Sequence, residues 1–406
     1  MTRQITICGG GNAAHVLAGL LGSQPDFSVR LYVPFGDEAN RWRAAAAQGD
    51  GIRVVTAHGT VVGRPSAIGS DPGVLVAGSQ LVLLALPAFA HETILEQIGP
   101  HLAPGAWVGA LPARGGFDLC FREILGPRAD EIAVFGLQTL PWACRVHDYG
   151  RQVVILGTKA RVDLAAWTPA LAREICATLQ TPLGVALSPV ASFLALTLAD
   201  VGQLIHPGIM YGLFHEWSGE AYEAPPLFYQ GVTVATADLL QAMSDEVQAV
   251  CGALQERWPE LDLAAVRPLG DWLHRAYAQD IADSQTLQSA FTTNRSYAGL
   301  QAPVLPVPGG CVPDFKARYL SEDVPFNLVV TRGLAEMAGI PTPHIDTVLT
   351  WAQARLSREY LVNRRLQGAD VRLTRAPQRY GFTNLEQLVT AMRYRPEPAA
   401  PVTAGP

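Results

Sequence analysis

An apolar strand that runs into three successive glycines and leaves them as a helix allows a chain few folds. Residues 5–14 read Ile-Thr-Ile-Cys-Gly-Gly-Gly-Asn-Ala-Ala. Gly9 permits the tight turn, Gly11 lets backbone N–H groups approach a pyrophosphate, and Ala14 keeps the helix close to the strand. The phosphates then meet the positive end of the helix dipole. Asn12 and Ala13 open that helix and complete the candidate dinucleotide cradle. A G-x-G-x-x-A pattern is weak by itself, but its surroundings support it: residues 5–8 read as a buried parallel strand, 13–21 as a helix and 29–33 as the next strand. The competing reading is a glycine-rich turn that binds nothing.

The alternation continues with a helical 38–48, a hairpin region at 52–62, and strands at 81–86, 106–111, 132–136 and 153–157, with a helix at 92–98 between two of them. This is the pattern of an α/β Rossmann-type, doubly wound sheet. In such a sheet the loops after the strands face the cofactor crevice, so the loop opened by Pro87 and the loop 112–117 are expected on the nicotinamide side. Beyond about residue 195 the strand pattern gives way to helical periodicity at 235–258, 328–338 and 347–361, broken by a Pro-rich loop at 302–313 and by Pro341 and Pro343. The expected organisation is a dinucleotide-binding domain over 1–195, a mostly α-helical substrate and catalytic domain over 196–394, and a disordered tail over 395–406.

The chain has 406 residues, 49% of them hydrophobic, which suits two cored domains. A formal charge of −6 and a pI near 5.9 argue against nucleic acid and anionic membranes as partners. No export signal opens the sequence, and the most apolar stretch, 81–90, is short for a bilayer and holds Pro87, so a cytoplasmic protein is expected. Six cysteines lack any metal-ligand spacing; reduced thiols and no metal site are expected.

An acidic residue commonly ends the second strand and accepts hydrogen bonds from the adenosine ribose. Pro34 stands there. Asp37 and Glu38 follow and suit that task, whereas Arg41 and Arg43 suit a 2′-phosphate; all four also fit a solvated helix face. NAD is the first expectation and NADP the alternative.

Several segments together carry more information than the glycine turn. CGGGN at 8–12, PAFAHE at 87–92, TLPWACR at 139–145, APPLFYQG at 224–231 and PQRYGF at 377–382 resemble segments of the opine dehydrogenase family, its octopine-forming members above all. The similarity runs in order from about residue 3 to about residue 390. The resemblance implies a Rossmann domain and an α-helical domain with substrates between them. It also implies an oxidoreductase acting on CH–NH donors, which condenses an amino acid with a 2-oxo acid and reduces the imine with a nicotinamide hydride. Carried over residue by residue, it implies a catalytic His206 with Asp323 as its partner, Arg318 on the substrate side, and Thr139 and Cys144 beside the oxo acid. A monomer or homodimer is expected.

The chemistry needs such groups. Imine reduction consumes a proton at nitrogen and carbinolamine dehydration needs both acid and base, so a side chain titrating near neutrality is wanted. A carboxylate on the second ring nitrogen fixes the tautomer of an imidazole, which accounts for pairing His206 with Asp323, 117 positions away. An arginine fork suits a substrate carboxylate. The bland alternatives are a surface ion pair for Arg318, a helix cap for Asp323, a strand-end turn for Thr139 and a buried thiol for Cys144.

The chain departs from the octopine-forming pattern in two places. Arg114 replaces a glutamine and suggests a second carboxylate on the oxo acid, hence 2-oxoglutarate beside pyruvate. Gln138 replaces a carboxylate and weakens the case for arginine as the amine donor, although Trp272 retains an aromatic position able to stack on a guanidinium. Two rivals remain: a 3-hydroxyacid or glycerol-phosphate-type dehydrogenase using a lysine acid, for which only Lys316 is at hand in the second half, and a nonenzymatic nucleotide sensor.

Overall fold

The computed structural model describes residues 2–393, so the expected tail at 395–406 lies outside the described residues. The chain divides into two compact units, the first running to Leu196 and the second from Thr197 to Arg393. The boundary expected near 195 falls in the Phe193–Ala199 helix.

Twelve strands build the first unit: β1 (Arg3–Cys8), β2 (Phe27–Tyr32), β3 (Ile52–Thr56), β4 (Gly59–Gly63), β5 (Ala67–Gly69), β6 (Leu81–Leu84), β7 (Trp107–Ala110), β8 (Ala133–Leu137), β9 (Trp142–Asp148), β10 (Gln152–Thr158), β11 (Arg161–Ala166) and β12 (Ala186–Pro189). Eight of them form one sheet in the order β12-β11-β8-β7-β6-β1-β2-β5. It is parallel from β5 to β8, and β11 joins β8 antiparallel. The order reverses at β1, the switch point at which such sheets bind dinucleotides. All four residues of β6 are buried, as expected of a strand covered on both faces.

Cys8, Leu84, Ala110 and Gly136 stand in one register row across four neighbouring strands. The chain therefore leaves β1, β6, β7 and β8 along one edge, with strands about 4.8 Å apart. The Asn12–Gly22 helix follows β1 and buries Ala14 completely, which brings its N-terminus to that edge.

The expected strand at 153–157 does not extend the parallel sheet. It belongs to β10, which pairs with β3 and β9 in a second, four-stranded sheet ordered β4-β3-β10-β9. The hairpin at 52–62 supplies β3 and β4 to the same sheet.

In the second unit the Gly202–Phe214 helix packs on Val234–Arg257, which also meets Val329–Ala338 and Pro343–Leu356. Thr233 caps the long helix by accepting the Thr236 N–H at 3.2 Å. Two expectations need correction. The helix placed at 347–361 begins at Pro343 and ends at Leu356, because proline is at ease in a first helical turn and Ser357 takes a left-handed φ of 53°. The Pro-rich 302–313 segment is a β-hairpin of Val304–Val307 with Gly310–Pro313, its prolines sitting in an isolated pair where missing N–H donors are tolerated.

Among the described residues one helical stretch, Phe193–Phe214, is long and apolar enough to cross a bilayer, and 89% of its apolar window is buried in the protein. That is the pattern of a core helix, and it exceeds the 81–90 stretch singled out from composition. No cluster able to hold a metal is found among the described residues.

Candidate active site

His206 sits in the Gly202–Phe214 helix immediately before Pro207. Asp323 sits just ahead of a π-helical turn, Val324–Leu328, a local widening often found at functional positions. His206 Nδ1 lies 2.7 Å from Asp323 Oδ2. A carboxylate only accepts, so Nδ1 carries a hydrogen, and in the neutral imidazole Nε2 is the acceptor. The imidazole retains 21% of its exposure and the aspartate only 2%.

The rest of the imidazole's surroundings come from residues that sequence reasoning did not select. Tyr229 places its hydroxyl 3.3 Å from His206 Nε2. Burial, reinforced by neighbouring Tyr319, holds that phenol well above its usual range, so it stays an O–H, able to donate to Nε2 of a neutral imidazole. Tyr319 stacks on the imidazole with ring centroids 4.2 Å apart and 16° between planes. Behind Asp323, Asn327 Nδ2 donates to Asp200 Oδ2 at 3.0 Å and reaches Asp323 Oδ1 at 3.5 Å, so the carboxylate's second oxygen also has a donor. A buried charge left without such partners would be expensive.

Arg318 lies one helical turn before this pair and donates from Nε to the fully buried Glu322 carboxylate. Half of its side chain is exposed, and its terminal nitrogens make no other hydrogen bond among the described residues. Trp272, half-buried on the Leu269–Tyr277 helix, reaches the histidine through rings. Trp272 meets Tyr277 edge-on at 6.1 Å, Tyr277 meets Tyr297 at 5.0 Å, and Tyr297 stacks on Tyr229 at 4.0 Å. The sequence signal for Tyr229 was its place in APPLFYQG; nothing comparable marked Tyr319.

In the first unit the candidate cradle stands at the start of the Asn12–Gly22 helix. Gly9 has φ +126°, and a Cβ there would lie 2.7 Å from the Ala85 carbonyl oxygen; no other residue type meets both demands. Gly11 faces open space, and no acidic side chain occupies the first helical turn, so the free N–H groups are available to a pyrophosphate. The Asn12 side chain is occupied structurally, its Oδ1 accepting the Val146 N–H at 2.8 Å. Ala13 and Ala14 are buried. Arg41 lays its guanidinium over Tyr149, 4.2 Å from the ring centroid.

The other candidates of this unit follow the row of strand ends. Pro87 opens the Ala88–Ile98 helix after β6. Arg114, half-buried after β7, has φ +63°, an uncommon conformation for a residue with a side chain and a frequent mark of functional loops. Gln138 and Thr139 are half-buried just after β8. Cys144 stands within β9, 3% exposed and packed in the hydrophobic core, and burial pushes its thiol up. Alternation along β9 turns Trp142 and Cys144 inward and Ala143 and Arg145 outward. Its environment is that of a packing residue.

Residues 189–356 match the family model of the NAD/NADP octopine/nopaline dehydrogenase α-helical domain. The octopine dehydrogenase of Mizuhopecten yessoensis is 41% identical over 403 residues, covering 97% of this chain and 100% of that one. The tauropine dehydrogenase of Arabella iricolor is 38% identical over 394 residues, covering 95% and 99%. A solved octopine dehydrogenase structure with NADH and L-arginine superposes with a TM-score of 0.90 at 37% identity, covering 98% of this chain and 100% of that one.

Proposed function

Because the chain belongs to the octopine dehydrogenase family, we propose that His206, oriented by Asp323, handles the protons while an amino acid and a 2-oxo acid are joined and reduced. The activity is that of an opine dehydrogenase, an NAD(P)-dependent oxidoreductase whose substrates are small molecules. The overall balance is amino acid, 2-oxo acid, NAD(P)H and one proton in, and opine, NAD(P)⁺ and water out. The coenzyme supplies the hydride; the chain's own residues manage binding and protons.

In this reading the neutral imidazole accepts at Nε2 the proton shed by the amine as it adds to the oxo acid. It then returns a proton to the departing hydroxyl, and one must also reach nitrogen as hydride arrives at carbon. Asp323 stabilises the imidazolium between these events and does not itself take the proton. Tyr229 holds Nε2 in the resting enzyme and releases it to substrate. Arg318 offers its terminal N–H groups to a carboxylate, and Trp272 a face to the amino-acid side chain. We assign the glycine turn and Pro87 to the coenzyme, and Thr139, Gln138 and Arg114 to the oxo-acid side.

The 2.7 Å bond between His206 and buried Asp323 carries the proposal. A lysine-acid dehydrogenase is supported less well, since Lys316 is exposed. His206→Asn is expected to bind NADH as the parent does and to lose roughly 10²–10⁴-fold in kcat. Unchanged kcat, or equal loss in Lys316→Ala, would overturn the assignment.

A further inference from the structure

Asn327 sits inside the π-helical turn that follows Asp323 and is completely buried. Its side-chain nitrogen carries two N–H donors. That nitrogen lies 3.0 Å from Asp200 Oδ2 and 3.5 Å from Asp323 Oδ1. Asp200 stands just ahead of the Gly202–Phe214 helix that carries His206, and its other oxygen, Oδ1, accepts the Gly202 N–H at 3.0 Å. One neutral amide is thus set between two buried carboxylates, the first at the head of the histidine's helix and the second on the imidazole itself. The same region is tied again nearby, where the Thr331 hydroxyl donates to Gln203 Oε1 at 2.6 Å with both residues fully buried. Neither Thr331 nor Gln203 hydrogen-bonds to His206 or Asp323 among the described residues.

We propose that Asn327, backed by Asp200, is a positioning residue for the reaction: it holds Asp323 with Oδ2 turned to the imidazole and leaves the carboxylate's charge to the imidazolium. This rests on the reading of His206 as the group that handles the protons. With Oδ2 on His206 and Oδ1 on Asn327, both oxygens of Asp323 are engaged and the plane of the carboxylate is fixed. A lysine or arginine in place of Asn327 would also supply donors, but its positive charge would oppose the imidazolium that Asp323 has to stabilise. The amide gives the bond without the charge. Asp200 decides which end of the amide faces the pair, because an acceptor at 3.0 Å demands the nitrogen. The amide oxygen is then turned away from the Asp323 carboxylate. Since Asp200 also accepts from the first N–H of the histidine's helix, the clamp refers Asp323 to the backbone on which His206 is carried.

Kinetics and proton NMR of the purified full chain test this. NADH oxidation is followed with pyruvate and whichever of L-arginine, L-alanine and glycine the parent turns over fastest. Asn327→Leu keeps the bulk and removes the donors; it should lower kcat by about tenfold or more, with KM and the affinity for NADH at parent values. Asn327→Ala leaves room for water between the two carboxylates, should lose less, and serves should the leucine variant fail to fold. Thr331→Val breaks the neighbouring tie and should keep the parent kcat, whatever it costs in stability. In a His206→Asn background Asn327→Leu should lower kcat no further, because groups that act as one unit are not additive. The imidazole Nδ1 proton, a downfield resonance identified by its loss in His206→Asn, should move in Asn327→Leu and stay in place in Thr331→Val. Parental kcat and resonance in Asn327→Leu, an equal loss of kcat in Thr331→Val, or the same fold-loss with and without His206 overturns the proposal while leaving the role of His206 intact. Unchanged kcat in His206→Asn overturns both.

Discussion

The proton of His15 is fixed by its two neighbours. Gly150 donates its N–H to Nε2 at 2.8 Å, so Nε2 is an acceptor and Nδ1 carries the hydrogen, donated to the Gly11 carbonyl at 2.8 Å. Trp42 and Tyr149 close over the ring at 4.1 and 5.1 Å, and burial lowers its pKa to about 4. Protonation would set one N–H against another in a dry site. The folded pKa lies below the unfolded value of 6.5, so the unfolded state binds more protons between them and stability falls as pH drops from 6.5 towards 4. The loss should approach about 3 kcal/mol at pH 4. Urea unfolding of the parent and of His15→Gln at pH 7 and pH 4 measures it; equal pH slopes in the two proteins would refute the account. None of this was visible in the sequence, where His15 is one more polar residue in an apolar helix.

At the scale of elements, the strand, glycine turn and helix act as one device. Gly9→Ala adds a Cβ 2.7 Å from the Ala85 carbonyl at φ +126°, so β1 must separate from the β6 end or the turn must change shape. Strain of this kind costs about 1–3 kcal/mol. The variant should unfold at lower urea and bind NADH at least about tenfold more weakly, read in one titration series; parental NADH affinity would sink the argument. This device was legible because its demands are local: apolar run, turn and helix lie within adjacent residues. The second sheet was less legible, because the pairing that joins its two local hairpins, β3 with β10, sets Arg53 against Gln152 far along the chain. Yet the inward Trp142 and Cys144, alternating with outward Ala143 and Arg145, already spelled a strand in a segment read mainly as a motif. The histidine and its aspartate were legible only through the resemblance, since 117 residues separate them. Tyr229 joins them by its hydroxyl and Tyr319 by ring stacking, contacts that no spacing rule encodes.

Across the whole molecule, reaction requires two small acids and a nucleotide. NADH absorbance should therefore fall only when an amino acid and a 2-oxo acid are supplied together, and loss with either one alone would contradict opine synthesis. We assign to Arg114, whose guanidinium fork suits a carboxylate, the recognition of a second carboxylate on the oxo acid. Comparing kcat/KM for 2-oxoglutarate and pyruvate reads that out, and a strong preference for pyruvate would remove the role given to Arg114. The row Cys8, Leu84, Ala110 and Gly136 bears on how such preferences change. The pairings of β1 with β6, β6 with β7 and β7 with β8 end at this row, so most of the chain in the segments beyond it is free of the constraint that the sheet imposes. Exchange of those segments among relatives should then alter diet without disturbing folding, so that one frame can be refitted for new metabolites by swapping its fringe.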